Sequence, residues 1–179
     1  MSAIVPSSPS LVLDLKDPFD KHVYCDLDGE KLAALQERIK RELELASEIQ
    51  RSLLPNEDDD LPICGINRPI REVSGDFYDY FELPDGTIAF ALGDVSGKGM
   101  NAALLMAKTA SLFRCLGKTI RDPARLLSIL NREICETTSR GMFVTMVAGL
   151  YEPSTGLLRF ANAGHLPPLI KFPDHLYET

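Results

Sequence analysis

Two short acidic motifs, Ser74-Gly75-Asp76 and Gly93-Asp94-Val95, each set a carboxylate beside a glycine at the end of an apolar run that reads as a β-strand. Phe77, Tyr78, Tyr80, Phe81 and Leu83 are aromatic or apolar, Asp85-Gly86 is a hairpin-turn dipeptide, and Ile88, Ala89, Phe90, Ala91 and Leu92 form a second strand. Folding residues 77–83 back onto 87–92 brings Asp76 and Asp94 to the same end of the hairpin. Carboxylates so close repel unless a cation sits between them. Mg²⁺ and Mn²⁺ take oxygen ligands, keep several waters and need few protein carboxylates, so they suit this pair better than Zn²⁺ does. The alternative is that both aspartates are turn residues. Two of them on one hairpin favour the cation.

The run Gly93-Asp94-Val95-Ser96-Gly97-Lys98-Gly99 follows a strand and precedes a helix, the place of a phosphate-cradling loop. That loop requires G-x-x-x-x-G-K-[ST]. Here the first glycine is one residue too close, and Gly99 stands where the magnesium-holding hydroxyl belongs. Arg71, near Asp76, and Lys98, at the helix entry, are candidate phosphate contacts. His165 is a histidine in a turn without a nucleophile or metal-spaced partner beside it in sequence, and it stays outside the catalytic set.

Three segments, SGDFYDYF, LGDVSGKGMNAALLMA and MFVTMVAGLYEPSTGLLRFANAGHLPPL, resemble successive motifs of the SpoIIE/RsbU-type serine phosphatases, the bacterial branch of the PPM metal-dependent protein phosphatases. The resemblance runs in order from about Glu42 to Leu169. It implies an α+β fold, two packed antiparallel sheets with helices on the outer faces and a metal pair at one end of the sandwich. It also implies hydrolysis of phosphoserine or phosphothreonine without a covalent enzyme intermediate. Two Mn²⁺ or Mg²⁺ ions would lower the pKa of the attacking water and neutralise charge on the phosphoryl oxygens. Asp76 and Asp94 would hold them, with the backbone carbonyl of Val95 as a further ligand. The implied substrate is a phosphorylated anti-sigma-factor antagonist or a similar regulator.

In that family the metal cage is completed by an aspartate in T-D-G context and by a final aspartate. After Leu169 the sequence KFPDHLYET supplies Asp174 and Glu178, neither in that context. The expectation is a domain lacking its C-terminal part, either a fragment or a degenerate form. Two function classes follow: a signalling phosphatase, or a catalytically inactive phosphatase-like interaction module.

The surrounding elements must hold these groups in place. At 179 residues, 45% apolar and 25% charged, the chain has ordinary globular composition for one domain with an appendage. A net charge of −7 without a basic cluster argues against a nucleic-acid or anionic-membrane surface. The cysteines form no C-x-x-C pair, and neither a secretory leader nor a long apolar span is visible, so a reduced, cytoplasmic protein is expected.

Residues 1–28 read as a tail or the remnant of an upstream module. Residues 29–55 read as an amphipathic helix ended by Pro55, with Leu32, Leu35, Ile39, Leu43, Ala46, Ile49 and Leu53 on one face. Its near-heptad spacing predicts a coiled-coil linker that forms a homodimer through 29–54. LASEIQRSLLP resembles the linker that joins sensor modules to the phosphatase domain in this family. The phosphatase-like domain then spans 61–179. Residues 62–70 read as an edge strand, residues 100–117 as a helix, Asp122-Pro123 as the start of another, and residues 143–151 with 157–161 as a second hairpin.

Overall fold

The computed structural model describes residues 29–55, 61–69, 72–138, 141–171 and 176–178. The tail 1–28, the acidic loop 56–60 and Arg71 lie outside the described residues. The chain divides into two units, Met1–Lys40 and Arg41–Thr179. In the first, residues 29–40 are helical and belong to α1 (Gly29–Arg51). The second contains the remainder of α1 and the sheets.

The first hairpin forms where turn chemistry predicts it. β1 (Phe77–Glu82) pairs antiparallel with β2 (Ile88–Val95). The Gly86 N–H donates to Leu83 O at 2.9 Å, the Leu83 N–H donates to Thr87 O at 2.8 Å, and Gly86 takes φ 78°. This is a turn with Pro84 at its second position and a left-handed glycine closing the bulge. β3 (Val144–Glu152) pairs antiparallel with β2, and β4 (Leu157–Ala163) with β3, so the sheet order is β1-β2-β3-β4. β5 (Leu169–Lys171) and β6 (Leu176–Glu178) form a separate two-stranded ladder.

Two helices intervene between β2 and β3. α2 (Met100–Gly117) buries Ala102, Ala103, Met106, Ala110 and Phe113. Its small residues let it lie close to the sheet, and Phe113 fills the space between. α3 (Pro123–Thr137) starts as its sequence predicts: Asp122 Oδ1 accepts from Ala124 N at 2.9 Å and Arg125 N at 3.3 Å, with Pro123 in the first turn. The core joins Phe77, Ala89, Ala91, Val95, Met146, Ala148 and Leu150 of the sheet to Leu105, Met106, Phe113, Leu126, Leu130 and Ile134 of the helices. The fold is α+β, an antiparallel sheet flanked by helices.

The expected edge strand at 62–70 does not form in the described part of that segment. Pro62 and Pro69 lack the N–H a ladder needs. The segment packs instead against the other face of the sheet, where the Tyr78 ring occupies the space a Cβ on Gly65 would take, its Cε2 standing 2.1 Å from that position. Tyr78 and Tyr80 stack with centroids 6.2 Å apart, and Phe90, Leu92, Tyr151 and Leu158 continue a cleft of ≈ 500 Å³ on this face.

In α1 the helical phase differs from the apolar stripe. Ser47 and Gln50 are buried, while Ile39, Leu45 and Ile49 are 47%, 59% and 67% exposed.

Candidate metal centre

Strand register brings the two acidic motifs together. Phe77 pairs with Gly93 as the first rung of the β1–β2 ladder, so Asp76 and Asp94 flank that rung at one end of the hairpin. Glycine at 93 is required by packing. A Cβ there would meet Phe77 Cε1 at 2.4 Å, and the ring is 1% exposed in the core. Gly75 serves the neighbouring loop in a similar way, since a Cβ on it would stand 3.1 Å from the Val95 carbonyl oxygen. The glycines beside the carboxylates therefore allow one motif to lie against the other.

Asp76 itself lies outside the ladder and is held through its backbone. Its N–H donates to Ser74 Oγ at 3.0 Å, and its carbonyl accepts from Asn67 Nδ2 at 2.9 Å. At the other end of the motif, Ser96 exchanges two bonds with Phe143. The Ser96 N–H donates to Phe143 O at 2.9 Å, and the Phe143 N–H donates to Ser96 Oγ at 2.8 Å. Asp94 pairs with Thr145 across β2 and β3, which ties the second carboxylate to the second hairpin.

The electrostatics are those of two acids sharing a space. Although Asp76 is exposed as a residue, its carboxyl is pushed above the ordinary carboxylate value. Partial burial is the largest cause, followed by a hydrogen bond with Asp94 and the charge of Asp94, while His165 pulls the other way. Oxygen donors alone, poised to repel, form a donor set that fits a hard divalent cation. Among the described residues no third His, Cys, Asp or Glu joins the pair.

Asp76, Asp94, Val95 and Lys98 of the sequence-derived set line one cleft of ≈ 520 Å³, as does Arg68. Arg71 is outside the described residues. Arg68, which sequence reading leaves inside an edge strand, is therefore a cation at the site that the motifs do not reveal. A larger cleft of ≈ 660 Å³ lies between residues 52–55 and α2, but no acidic side chain lines it. Size alone does not locate the chemistry here.

His165 is closer to the centre than its sequence context indicates. Thr145, the rung partner of Asp94, has its Oγ1 2.8 Å from His165 Nδ1. Asn162 fixes the turn from both sides, accepting from the His165 N–H at 2.8 Å and donating to its carbonyl at 3.1 Å.

Comparison with known proteins follows the same residues. Residues 84–178 match the family model described as Stage II sporulation protein E (SpoIIE). The chain is 33% identical over 143 residues to phosphoserine phosphatase RsbU of Bacillus subtilis (strain 168), covering 78% of this chain and 42% of that protein. It is 35% identical over 159 residues to Protein IcfG of Synechocystis sp., covering 72% of this chain and 25% of that protein. The chain thus spans less than half the length of these curated relatives. Among solved structures, the SiaA-PP2C domain of Pseudomonas aeruginosa superposes with a TM-score of 0.64 at 26% identity, covering 73% of this chain and 56% of that one.

Proposed function

The chain belongs to the SpoIIE family, whose model spans more than half of it, and on that premise we propose that it is a metal-dependent protein serine/threonine phosphatase of bacterial signalling. The proposed substrate is a phosphorylated anti-sigma-factor antagonist or a similar regulator. The observation that carries the reading is the meeting of Asp76 and Asp94 across the end of the β1–β2 ladder.

Asp76 and Asp94 would hold Mn²⁺ or Mg²⁺, with the Val95 carbonyl as a third oxygen. When bound, such ions lower the pKa of water and neutralise phosphoryl charge. The chain's own residues do the rest. Gly75 and Gly93 let the two motifs approach, Ser74 and Asn67 fix the Asp76 backbone, and Arg68 and Lys98 supply positive charge in the same cleft to attract a phosphate dianion. No Ser or Cys nucleophile is needed.

We further assign α1 to self-association. Leu35, Ile39, Leu45 and Ile49 are each more than a third exposed, and a second copy of the helix offers an apolar face to cover them. No described helix is long and apolar enough to cross a membrane.

The test is hydrolysis of a phosphoserine peptide with excess Mn²⁺, with Asp76→Asn and Asp94→Asn as controls. Turnover that both substitutions abolish supports the assignment. Turnover that Asp94→Asn leaves unchanged overturns it. A phosphatase-like interaction module is the second reading, favoured by the absence of a third ligand near the pair among the described residues. It is distinguished by phosphopeptide binding without turnover.

A further inference from the structure

We propose that Gln50 is a positioning residue for the acidic pair, its carboxamide fastening the last turn of α1 to the loop that carries Asp76. The inference rests on the metal reading above and adds to it a residue from a different element.

Gln50 is 8% exposed, and both ends of its amide are used on one residue. Its Oε1 accepts from the Ser74 N–H at 2.8 Å, and its Nε2 donates to the Ser74 carbonyl at 2.8 Å. This is how a neighbouring strand would hold Ser74, yet Ser74 is in no strand. Nε2 also lies 3.4 Å from the Ala103 carbonyl and 3.4 Å from Met106 Sδ, both on α2. One side chain therefore meets α1, α2 and the acidic loop.

From Ser74 the connection continues to the carboxylate-bearing residue. Ser74 Oγ accepts the Asp76 N–H, so the residue clamped by Gln50 is also the residue that orients Asp76. Ladder pairing cannot substitute for this, because it begins only at Phe77. Gly75 cannot either. Without a Cβ it is the least self-restrained residue of the loop, and a Cβ there would press on the Val95 carbonyl oxygen at 3.1 Å.

Burying a carboxamide is unfavourable unless its groups find partners, and an apolar side chain would fill the same volume without that cost. Here every polar atom of Gln50 is satisfied by the loop and α2. The arrangement specifies where the loop sits. Residues that orient the groups holding a metal, without touching it, typically change affinity by one to two orders of magnitude when removed.

The experiment compares the wild-type chain with Gln50→Met, which keeps the volume and removes the amide. Calorimetric Mn²⁺ titration, amide exchange at Ser74 and thermal melting are measured, with Asp94→Asn as the reference for a lost ligand. The expected result is a rise of about tenfold in the Mn²⁺ dissociation constant, with faster exchange at the Ser74 amide and unchanged exchange in α3. A lowered melting temperature with wild-type Mn²⁺ affinity and wild-type Ser74 exchange would reduce Gln50 to scaffold and overturn the proposal. If Gln50→Met does not fold, Gln50→Glu keeps the shape and the acceptor but sets an oxygen against the Ser74 carbonyl, and the same two readouts decide. Should Asp94→Asn leave Mn²⁺ binding intact, the metal reading fails, and the clamp stands or falls on the Ser74 amide alone.

Discussion

Arg114 on α2 grips Asp79 on β1 with two donors, Nε to Oδ2 at 3.0 Å and Nη2 to Oδ1, and the Asp79 side chain is fully enclosed. The guanidinium also lies over the Phe81 ring, 5.3 Å from its centroid. A carboxylate inside the sheet-to-helix interface is tolerated chiefly because this cation reaches it from the half-exposed side, with the Tyr80 backbone N–H and the Lys118 charge adding to it.

Removing that cation should cost stability in a pH-dependent way. Burial pushes the Asp79 carboxyl above its ordinary value, and Arg114 pulls it part of the way back. A carboxyl with a raised folded value favours the folded state below the ordinary carboxylate range and loses that contribution as pH climbs through the raised value. Arg114→Met pushes Asp79 further up, so urea melts should show a loss of about 3 kcal/mol at neutral pH. The deficit should shrink towards about pH 4, where both folded and unfolded carboxyls take up protons. A deficit independent of pH would mean that Arg114 acts only by packing on Phe81.

Gly93→Ala should damage stability and metal binding together. The added Cβ meets the Phe77 ring, which has no room to retreat within the core. Overpacking of this kind costs about 1–3 kcal/mol. Because Phe77 and Gly93 are the rung between the aspartates, Mn²⁺ affinity should fall in the same variant. Calorimetry and denaturant melts on one preparation check both effects.

Mn²⁺ affinity should decline as the solution is acidified. A metal-binding carboxyl must be deprotonated, and Asp76 holds its proton above the ordinary carboxylate range. The decline should therefore begin at a higher pH than a normal aspartate would give, and Asp94→Asn should abolish binding at every pH. Binding flat from neutral pH down to about pH 4 would remove Asp76 from the site.

Self-association should respond to the outer face of α1. Ile39→Glu with Leu35→Glu places charge on exposed apolar positions and leaves Gln50 untouched. Sedimentation should give a dimer for the wild-type chain and a monomer for the double variant, and equal masses for the two would remove the helix as the interface.

The hairpin carrying the acids is legible in the sequence because its information is local. Alternating apolar residues, a Pro-Asp-Gly turn and glycines beside the aspartates all lie within one short stretch. The start of α3 is legible for the same reason, Asp122-Pro123 being sufficient to set it. Residues 62–70 mislead because apolar character signals burial, which the segment partly has, without signalling a ladder, which its prolines discourage. Gln50 escapes because polarity suggests a solvated face. Its burial depends on α2 and the Ser74 loop, which are distant in the chain. Arg68 and His165 escape similarly, since each reaches the site through tertiary contacts.

The insertion of α2 and α3 between β2 and β3 divides the surroundings of the acidic pair into a part that is local in the chain and a part that is distant from it. Asp76 and Asp94 flank the open end of one hairpin, whose strands are joined by a short local turn. Thr145 and His165 follow both helices in the chain, so bringing them to the pair closes a much longer loop. The carboxylate pair is therefore a feature of local chain closure, and its Thr145–His165 neighbour one of long-range closure.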